Sequence, residues 1–297
     1  MRTERVHSLT GPRIRIRTER LAYGGYGVGR WQGLAVLVEG ALPGEDVEAE
    51  LIARHARYAR ARAVNILTPS PDRVQPGCPV FGQCGGCHLL HAAYPLQVAA
   101  KTQFVRDAFR PRPDLASRVE ATVPAPEPFR FRNRLTYTIA EGPNGPVIGF
   151  HARNDPDTVV SAETCVLCPE WHQALLRRTA DVLRTVGHGM LRSRCRLDIR
   201  EGRRTGQRMV VLSPEPSAEM VEALSRAYAP LVDTFVVAAM SPRGERPRSR
   251  TVFGRGIIEE RLGSWTFEIP PMVFFQTYTE QAETLFHTAT ALAAEIK

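Results

Sequence analysis

The sequence has almost no lysine, no long apolar run and few cysteines. Lysine occurs only at Lys101 and Lys297, so arginine carries nearly all the positive charge behind the net +8. No run approaches the ~18 apolar residues of a membrane-spanning helix. The stretch from Met1 to Arg17 lacks the apolar centre of a signal peptide. These absences exclude helical membrane spans and lead us to expect a cytoplasmic protein without a membrane partner.

The arginine excess favours an anionic partner. A guanidinium group offers a planar fork to phosphate and a flat face for stacking on bases, and lysine offers neither. The alternative is an arginine bias set by the base composition of the genome and displayed on a solvated surface. Composition alone leaves both explanations open.

The hydrophobic patterns predict an α+β fold. Residues 1–68 contain four or five short strand patterns separated by glycine and proline turns, which predicts a small barrel of the OB type. The glycine-rich stretch Tyr23–Gly29 lacks the G-x-G-x-x-G spacing of a phosphate loop, so we interpret it as a strand connection. Further strands are predicted at 129–160, 196–200, 207–212 and 234–239, and helices at 94–110, 170–186, 217–228 and 278–296.

A cysteine cluster is the sharpest local signal. Cys78, Cys84 and Cys87 follow a C-x5-C-x2-C pattern in which two glycines let the backbone fold tightly round a metal. Cys165 and Cys168 are the candidates for a fourth ligand. Both a four-thiolate zinc site and a 4Fe–4S cluster fit this spacing, whereas the C-x3-C-x2-C pattern of radical S-adenosylmethionine enzymes is absent.

Four segments together resemble a known family. They are Cys84–His91 with the following Tyr94, Gln97 and Lys101, then Phe129–Leu135, then Ile148–Phe150 with Val159–Cys165, and finally Pro270–Gln276. In this order they resemble the bacterial RNA uracil-5-methyltransferases, above all those that methylate a uridine of large-subunit ribosomal RNA. The N-terminal region is similar to the TRAM domain of these enzymes.

The resemblance implies specific site residues. It implies a 4Fe–4S cluster on Cys78, Cys84, Cys87 and Cys165, with Cys168 as the competing fourth ligand. It also implies RNA contacts by an arginine and aromatic strand. The RNA-binding residues would be Arg130, Arg132, Arg134 and Phe131. Only Gln276 is carried over to the S-adenosylmethionine site, and no catalytic residue is assigned within the chain.

The resemblance also implies a domain organisation. We expect a TRAM/OB-like RNA-binding barrel at 1–68, a mixed α/β iron–sulfur and RNA-binding domain at 69–268, and the start of a methyltransferase domain at 269–297. The Rossmann-like part of that domain is expected to be absent, with helix 94–110 packing toward it. The chain alone would then be inactive, and a separate polypeptide would carry the missing domain.

Two functions fit these features. The first is the RNA-binding and 4Fe–4S portion of an S-adenosylmethionine-dependent RNA uracil-5-methyltransferase, with ribosomal RNA as substrate. The second is a stand-alone RNA-binding metalloprotein, with a 4Fe–4S or four-cysteine zinc site and no methyl transfer.

Overall fold

The computed structural model describes residues 11–187, 194–239 and 248–295. The first ten residues of the predicted barrel and the last two of the predicted C-terminal segment lie outside these ranges. The chain divides into two compact units, Met1–Gly77 with Cys87–Pro124, and Cys78–Gly86 with Ala125–Lys297. None of the helices in the described ranges combines the length and apolar character that crossing a membrane requires.

The first unit contains the predicted barrel. Its strands close in the order β1-β2-β3-β5-β4, antiparallel except for the parallel pair β3–β5. In β1 the isoleucines Ile14 and Ile16 point into the barrel, while Arg13, Arg15 and Arg17 alternate with them on the outside. The strands are β1 Arg13–Ala22, β2 Tyr26–Trp31, β3 Leu34–Glu39, β4 Asp46–Arg54 and β5 Tyr58–Thr68.

The glycine-rich stretch connects two strands, as the sequence predicts. It forms the turn between β1 and β2, where Gly24 and Gly25 have positive φ angles of 90° and 80°. Further along, Gly29 lies against β1, and a Cβ there would come within 2.2 Å of the Arg17 carbonyl oxygen. Gly24 and Gly25 therefore allow the tight turn, and Gly29 allows β2 to approach β1 closely.

Two helices complete the first unit, α1 Tyr94–Ala108 and α2 Pro113–Ala116. The apolar side of α1 packs against the barrel: Ala100 forms a buried cluster with Leu21 and Leu42, and Leu96 and Phe104 pack around it. This apolar side of α1 therefore packs within its own unit. That the helix also packs toward a catalytic domain stays a prediction.

The second unit is built on a seven-stranded mixed sheet in the order β12-β11-β10-β9-β6-β7-β8. Only the pair β10–β11 is parallel. A separate hairpin, β13–β14, covers part of one face. The strands are β6 Arg134–Gly142, β7 Gly145–His151, β8 Val159–Ser161, β9 Cys195–Glu201, β10 Arg208–Ser213, β11 Thr234–Ala238, β12 Ser249–Phe253, β13 Ile258–Leu262 and β14 Trp265–Ile269.

Both faces of this sheet are covered. The helices α3 Trp171–Val186 and α4 Ala218–Tyr228 bury leucines, Met220 and Tyr228 in the larger core. On the opposite face, Met209 and Val211 of β10 contact Ile258 and Ile269 of the hairpin. Strand residues therefore alternate between two apolar environments. The last helix is α5 Thr279–Glu295.

The predicted strand at 129–133 is not formed. β6 begins only at Arg134, and Arg130 has a positive φ of 52°, which interrupts an extended conformation. The backbone N–H groups of Arg130 and Arg132 donate to the carbonyls of Val166 and Leu167 at 2.9 and 3.0 Å. The backbone N–H groups of this segment therefore bond to the loop that contains Val166 and Leu167, and not to a neighbouring strand.

Candidate functional site

The first cysteines of the second unit lie on a tightly turned segment. The N–H of Cys84 donates to the Val80 carbonyl at 3.0 Å, and Cys84 also forms an isolated bridge with Ala152, just beyond β7. The Gly86 N–H points at the Cys84 sulfur, 3.4 Å away. An amide donor to a cysteine sulfur stabilises the thiolate form, which is the form that binds metal.

Charges on Cys78 and Cys165 influence the thiol of Cys84. Burial raises the pKa of the Cys84 thiol, and negative charge on Cys165 and Cys78 raises it further. Cys87, the remaining cysteine of the cluster, belongs to the other compact unit. Among the described residues, no three His, Cys, Asp or Glu side chains are arranged to hold a single metal ion.

Cys165 and Cys168 differ in where their sulfurs lie. Cys168 is only 3% exposed, belongs to the larger core and directs its thiol to the Cys165 carbonyl oxygen at 3.1 Å. Cys165 is partly exposed. A hydrogen bond from the Cys168 thiol lowers the pKa of Cys165, and the Arg132 guanidinium contributes in the same direction. Of these two cysteines, Cys165 is the one whose charge raises the pKa of Cys84.

The segment Phe129–Asn133 connects this cysteine loop to the region around Gln276. On one side the backbone N–H groups of Arg130 and Arg132 donate to the cysteine loop, residues 165–168. On the other side the Asn133 N–H donates to the Thr277 carbonyl at 3.0 Å. The Asn133 side-chain amide donates to the Gln276 carbonyl and the Thr279 hydroxyl, at 2.9 and 3.0 Å. One short segment therefore joins two motifs that are more than a hundred residues apart in the sequence.

Aromatic stacking strengthens the same junction. The Phe131 ring stacks on Tyr278, with centroids 4.7 Å apart and planes at 23°. The Tyr278 hydroxyl in turn donates to the Glu127 carbonyl at 2.7 Å. The Arg132 guanidinium lies over Phe131 at 6.0 Å, and its buried Nε has no hydrogen-bond partner within the described structure.

The predicted RNA-binding arginines have different surroundings. Arg130 is exposed, with 62% of its side chain accessible, and within the part of the chain that the structure describes it pairs with the similarly exposed Glu170. Arg134 is mostly buried and makes three hydrogen bonds to Asp198, the shortest 2.6 Å. Of the two, Arg130 is the cation available to a ligand in this structure.

Sequence reasoning missed Asn133, Asp198 and Arg200 as organising residues. Arg200 is 2% exposed, donates to Asp198 at 3.3 Å and holds the Val273 carbonyl at 2.8 Å. Burial lowers the pKa of this guanidinium, and Asp198 opposes that effect. The available signal was a single acidic residue among arginines in a predicted strand, which suggests an internal ion pair without identifying its partners.

Comparisons with known proteins match both units. Residues 7–64 match the TRAM domain family. An uncharacterised RNA methyltransferase of Gloeobacter violaceus is 32% identical over 93% of this chain and 64% of its own length. One from Thermosynechococcus vestitus is 31% identical over 94% of this chain and 64% of its own length. The chain thus spans just under two thirds of the length of these relatives.

A solved structure shows the same fold. The tRNA (uracil-54, C5)-methyltransferase of Pyrococcus abyssi, crystallised with S-adenosyl-L-homocysteine, superposes with a TM-score of 0.66. It is 22% identical, and the likeness covers 93% of this chain and 65% of that one. At this identity the likeness concerns the fold.

The predicted fold class, in which a methyltransferase domain is absent, is wrong. The likeness to a solved methyltransferase runs through the barrel and the C-terminal sheet-and-helix unit and does not indicate a missing domain. Inactivity of the chain and a separate polypeptide partner likewise find no support in these matches. Through more than nine tenths of its length, this chain is similar to the RNA methyltransferases.

Proposed function

We propose that this protein binds RNA and serves the S-adenosylmethionine-dependent methylation of uracil at C5. One observation carries the proposal. The Phe129–Asn133 segment, with an exposed arginine and aromatics, is bonded on one side to the cysteine loop and on the other to the Gln276 region. Two likenesses support the same chemistry: the relatives are named RNA methyltransferases, and the Pyrococcus enzyme is a uracil C5-methyltransferase crystallised with S-adenosyl-L-homocysteine.

RNA contact at this segment follows from what uracil methylation requires. A base must leave its stack to be methylated, so the protein has to hold the flanking nucleotides with cations and flat rings. Phe129 and Arg130 are both exposed here. The positive φ of Arg130 is an uncommon conformation for a residue other than glycine, and such conformations cluster at functional sites.

Gln276 is our proposed contact to S-adenosylmethionine. Asn133 fixes the backbone of Gln276 through its carbonyl, and Arg200 fixes the nearby Val273 carbonyl. S-Adenosylmethionine supplies the methyl group. The residues around it are proposed to orient Gln276 relative to the RNA held by Phe129–Asn133.

We further propose that the thiols hold a 4Fe–4S cluster, with Cys78, Cys84 and Cys87 as ligands and Cys165 as the fourth. Cys87 follows Cys84 by two intervening glycines, so chain connectivity alone keeps it within reach. The surroundings fit such an anionic group: the Gly86 N–H points at Cys84, and the buried Arg132 Nε lacks a hydrogen-bond partner in the described structure. The cluster would organise the RNA-binding segment through the cysteine loop.

Replacing Arg130 by glutamine is expected to weaken RNA binding by about three- to tenfold, because one phosphate contact is lost. The slope of log affinity against log salt should become shallower by about one unit. Filter binding across a salt series measures both quantities, with ribosomal RNA and transfer RNA fragments tested side by side to identify the substrate.

Arg226→Gln provides the matched control. Arg226 lies in the same unit on α4, is 68% exposed and pairs with an exposed glutamate, much like Arg130. Its replacement should leave both affinity and salt slope unchanged. Equal losses in the two variants would mean that Arg130 contributes only general charge.

Methyl transfer is tested separately with labelled S-adenosylmethionine and the RNA that binds best. Incorporation at C5 of uracil supports the whole proposal. RNA binding without any incorporation would reject methyl transfer by these 297 residues and favour a stand-alone RNA-binding metalloprotein.

A further inference from the structure

The turn between β4 and β5 carries a preformed aromatic stack. The rings of His55 and Tyr58 are stacked, with centroids 4.5 Å apart and planes at 23°. The turn itself is closed, because the His55 N–H donates to the Tyr58 carbonyl at 2.8 Å. Both residues are exposed, Tyr58 by 38%. The stack therefore lies at the surface, on a turn that a backbone hydrogen bond closes.

Positive charge surrounds this stack. Arg54 ends β4 and Arg57 lies in the turn; both are exposed, and neither has an ion-pair partner within the described ranges. Along β5 the side chains of Tyr58, Arg60 and Arg62 share the outer face, because Ala59 and Ala61 between them are buried in the barrel. Arg60 also lies over the Tyr26 ring at 5.8 Å.

We propose that this surface, formed by Arg54, His55, Arg57, Tyr58 and Arg60, binds an unpaired nucleotide of the RNA. The base stacks on the His55–Tyr58 pair, and the arginines contact the adjoining phosphates. This inference rests on the proposed function and deepens it, since it assigns the barrel a single-stranded segment of the substrate. The bases of a duplex are already stacked on their neighbours and cannot use the ring face.

The chemistry favours RNA over an acidic protein surface. Free arginines alone would suit either partner. A flat aromatic stack adds affinity for a nucleobase, which has a π-face of its own, and adds little for a carboxylate. The fixed turn also reduces the ordering cost of binding, because the two rings are already in place.

Tyr58→Leu and Tyr58→Phe separate stacking from burial. Fluorescence anisotropy with a labelled oligouridylate of about ten nucleotides, which stays unpaired, should show about a tenfold loss of affinity for Tyr58→Leu, since stacking on an aromatic ring is lost. Tyr58→Phe keeps the ring and should stay within about twofold of the unchanged protein. Thermal melting of each variant confirms that the barrel is folded.

Two further probes make the outcome specific. Tyr58→Leu should bind an abasic oligonucleotide of equal length as well as the unchanged protein does, because no base is there to stack. Arg54→Gln should weaken binding to both probes and flatten the salt dependence. Equal affinities of Tyr58→Leu and the unchanged protein for oligouridylate would overturn this inference while leaving the proposed function intact. Absence of any RNA binding by the unchanged protein would instead reject the proposed function.

Discussion

Replacing Asp198 by alanine is expected to lower the stability of the second unit by about 3–5 kcal/mol, the largest effect that we expect from any single substitution. Asp198 is the carboxylate that faces two arginines, Arg134 and Arg200, and Arg200 is 2% exposed. Without Asp198, a buried guanidinium would remain with no opposite charge beside it. Water cannot compensate the charge at that depth.

Hydrogen exchange at the amides of β6, β9 and β10 measures this loss inside the sheet itself. Glu222→Ala is the matched control, because Glu222 also pairs with an arginine but both partners are exposed. It should change stability by less than about 0.5 kcal/mol. A loss below about 1 kcal/mol for Asp198→Ala would show that the Arg134–Asp198–Arg200 group does not hold the sheet together.

Asp198→Ala should also loosen the chain around Gln276, the proposed contact to S-adenosylmethionine. Arg200 holds the Val273 carbonyl, three residues before Gln276. If Asp198 keeps Arg200 in place, faster exchange should extend into the chain around Gln276 in the variant. Unchanged protection of the amides around Gln276 would show that the ion pair does not stabilise this site.

Cys84→Ser is expected to abolish the proposed cluster, whereas Cys168→Ala should retain it. Anaerobically purified protein should be brown and contain about four iron and four sulfide per chain. Loss of Cys84 removes one of the proposed ligands, a thiol whose pKa responds to charge on Cys165 and Cys78. Loss of Cys168 removes a core sulfur and should leave the metal content intact.

Cys165→Ser completes the comparison, since it and Cys168→Ala alter neighbouring thiols of one loop. Retained iron in Cys165→Ser together with lost iron in Cys168→Ala would move the fourth ligand to Cys168. About one zinc per chain without sulfide would reject the iron–sulfur assignment in favour of the zinc alternative.

Local patterns predicted much of the fold. The alternation of arginine and isoleucine in β1 is a property of neighbouring residues, so it identified a barrel strand directly. The apolar spacing of α3 and α4 likewise matched the observed helices to within a residue at their starts. In each case the information lies within one element.

The site was harder to predict from the sequence because the residues in contact there are far apart along the chain. The alternation of Phe129–Arg134 suggested a strand, yet those backbone groups pair with the cysteine loop, and Arg130 adopts a positive φ. Asn133 shows no local signal, since its partners lie beyond residue 275. The prediction that a methyltransferase domain is absent was wrong for a different reason. It was based on motifs that were not found, and not on residues that are present.

The central claim is that RNA lies against the Phe129–Asn133 segment, and photocrosslinking tests it most directly. RNA containing 4-thiouridine is bound, irradiated and digested, and the attached peptides are identified by mass spectrometry. We predict crosslinks on the peptide that contains Phe129, lost on competition with unlabelled RNA and reduced in Arg130→Gln. Specific crosslinks confined to other peptides, with none between residues 127 and 134, would contradict the claim.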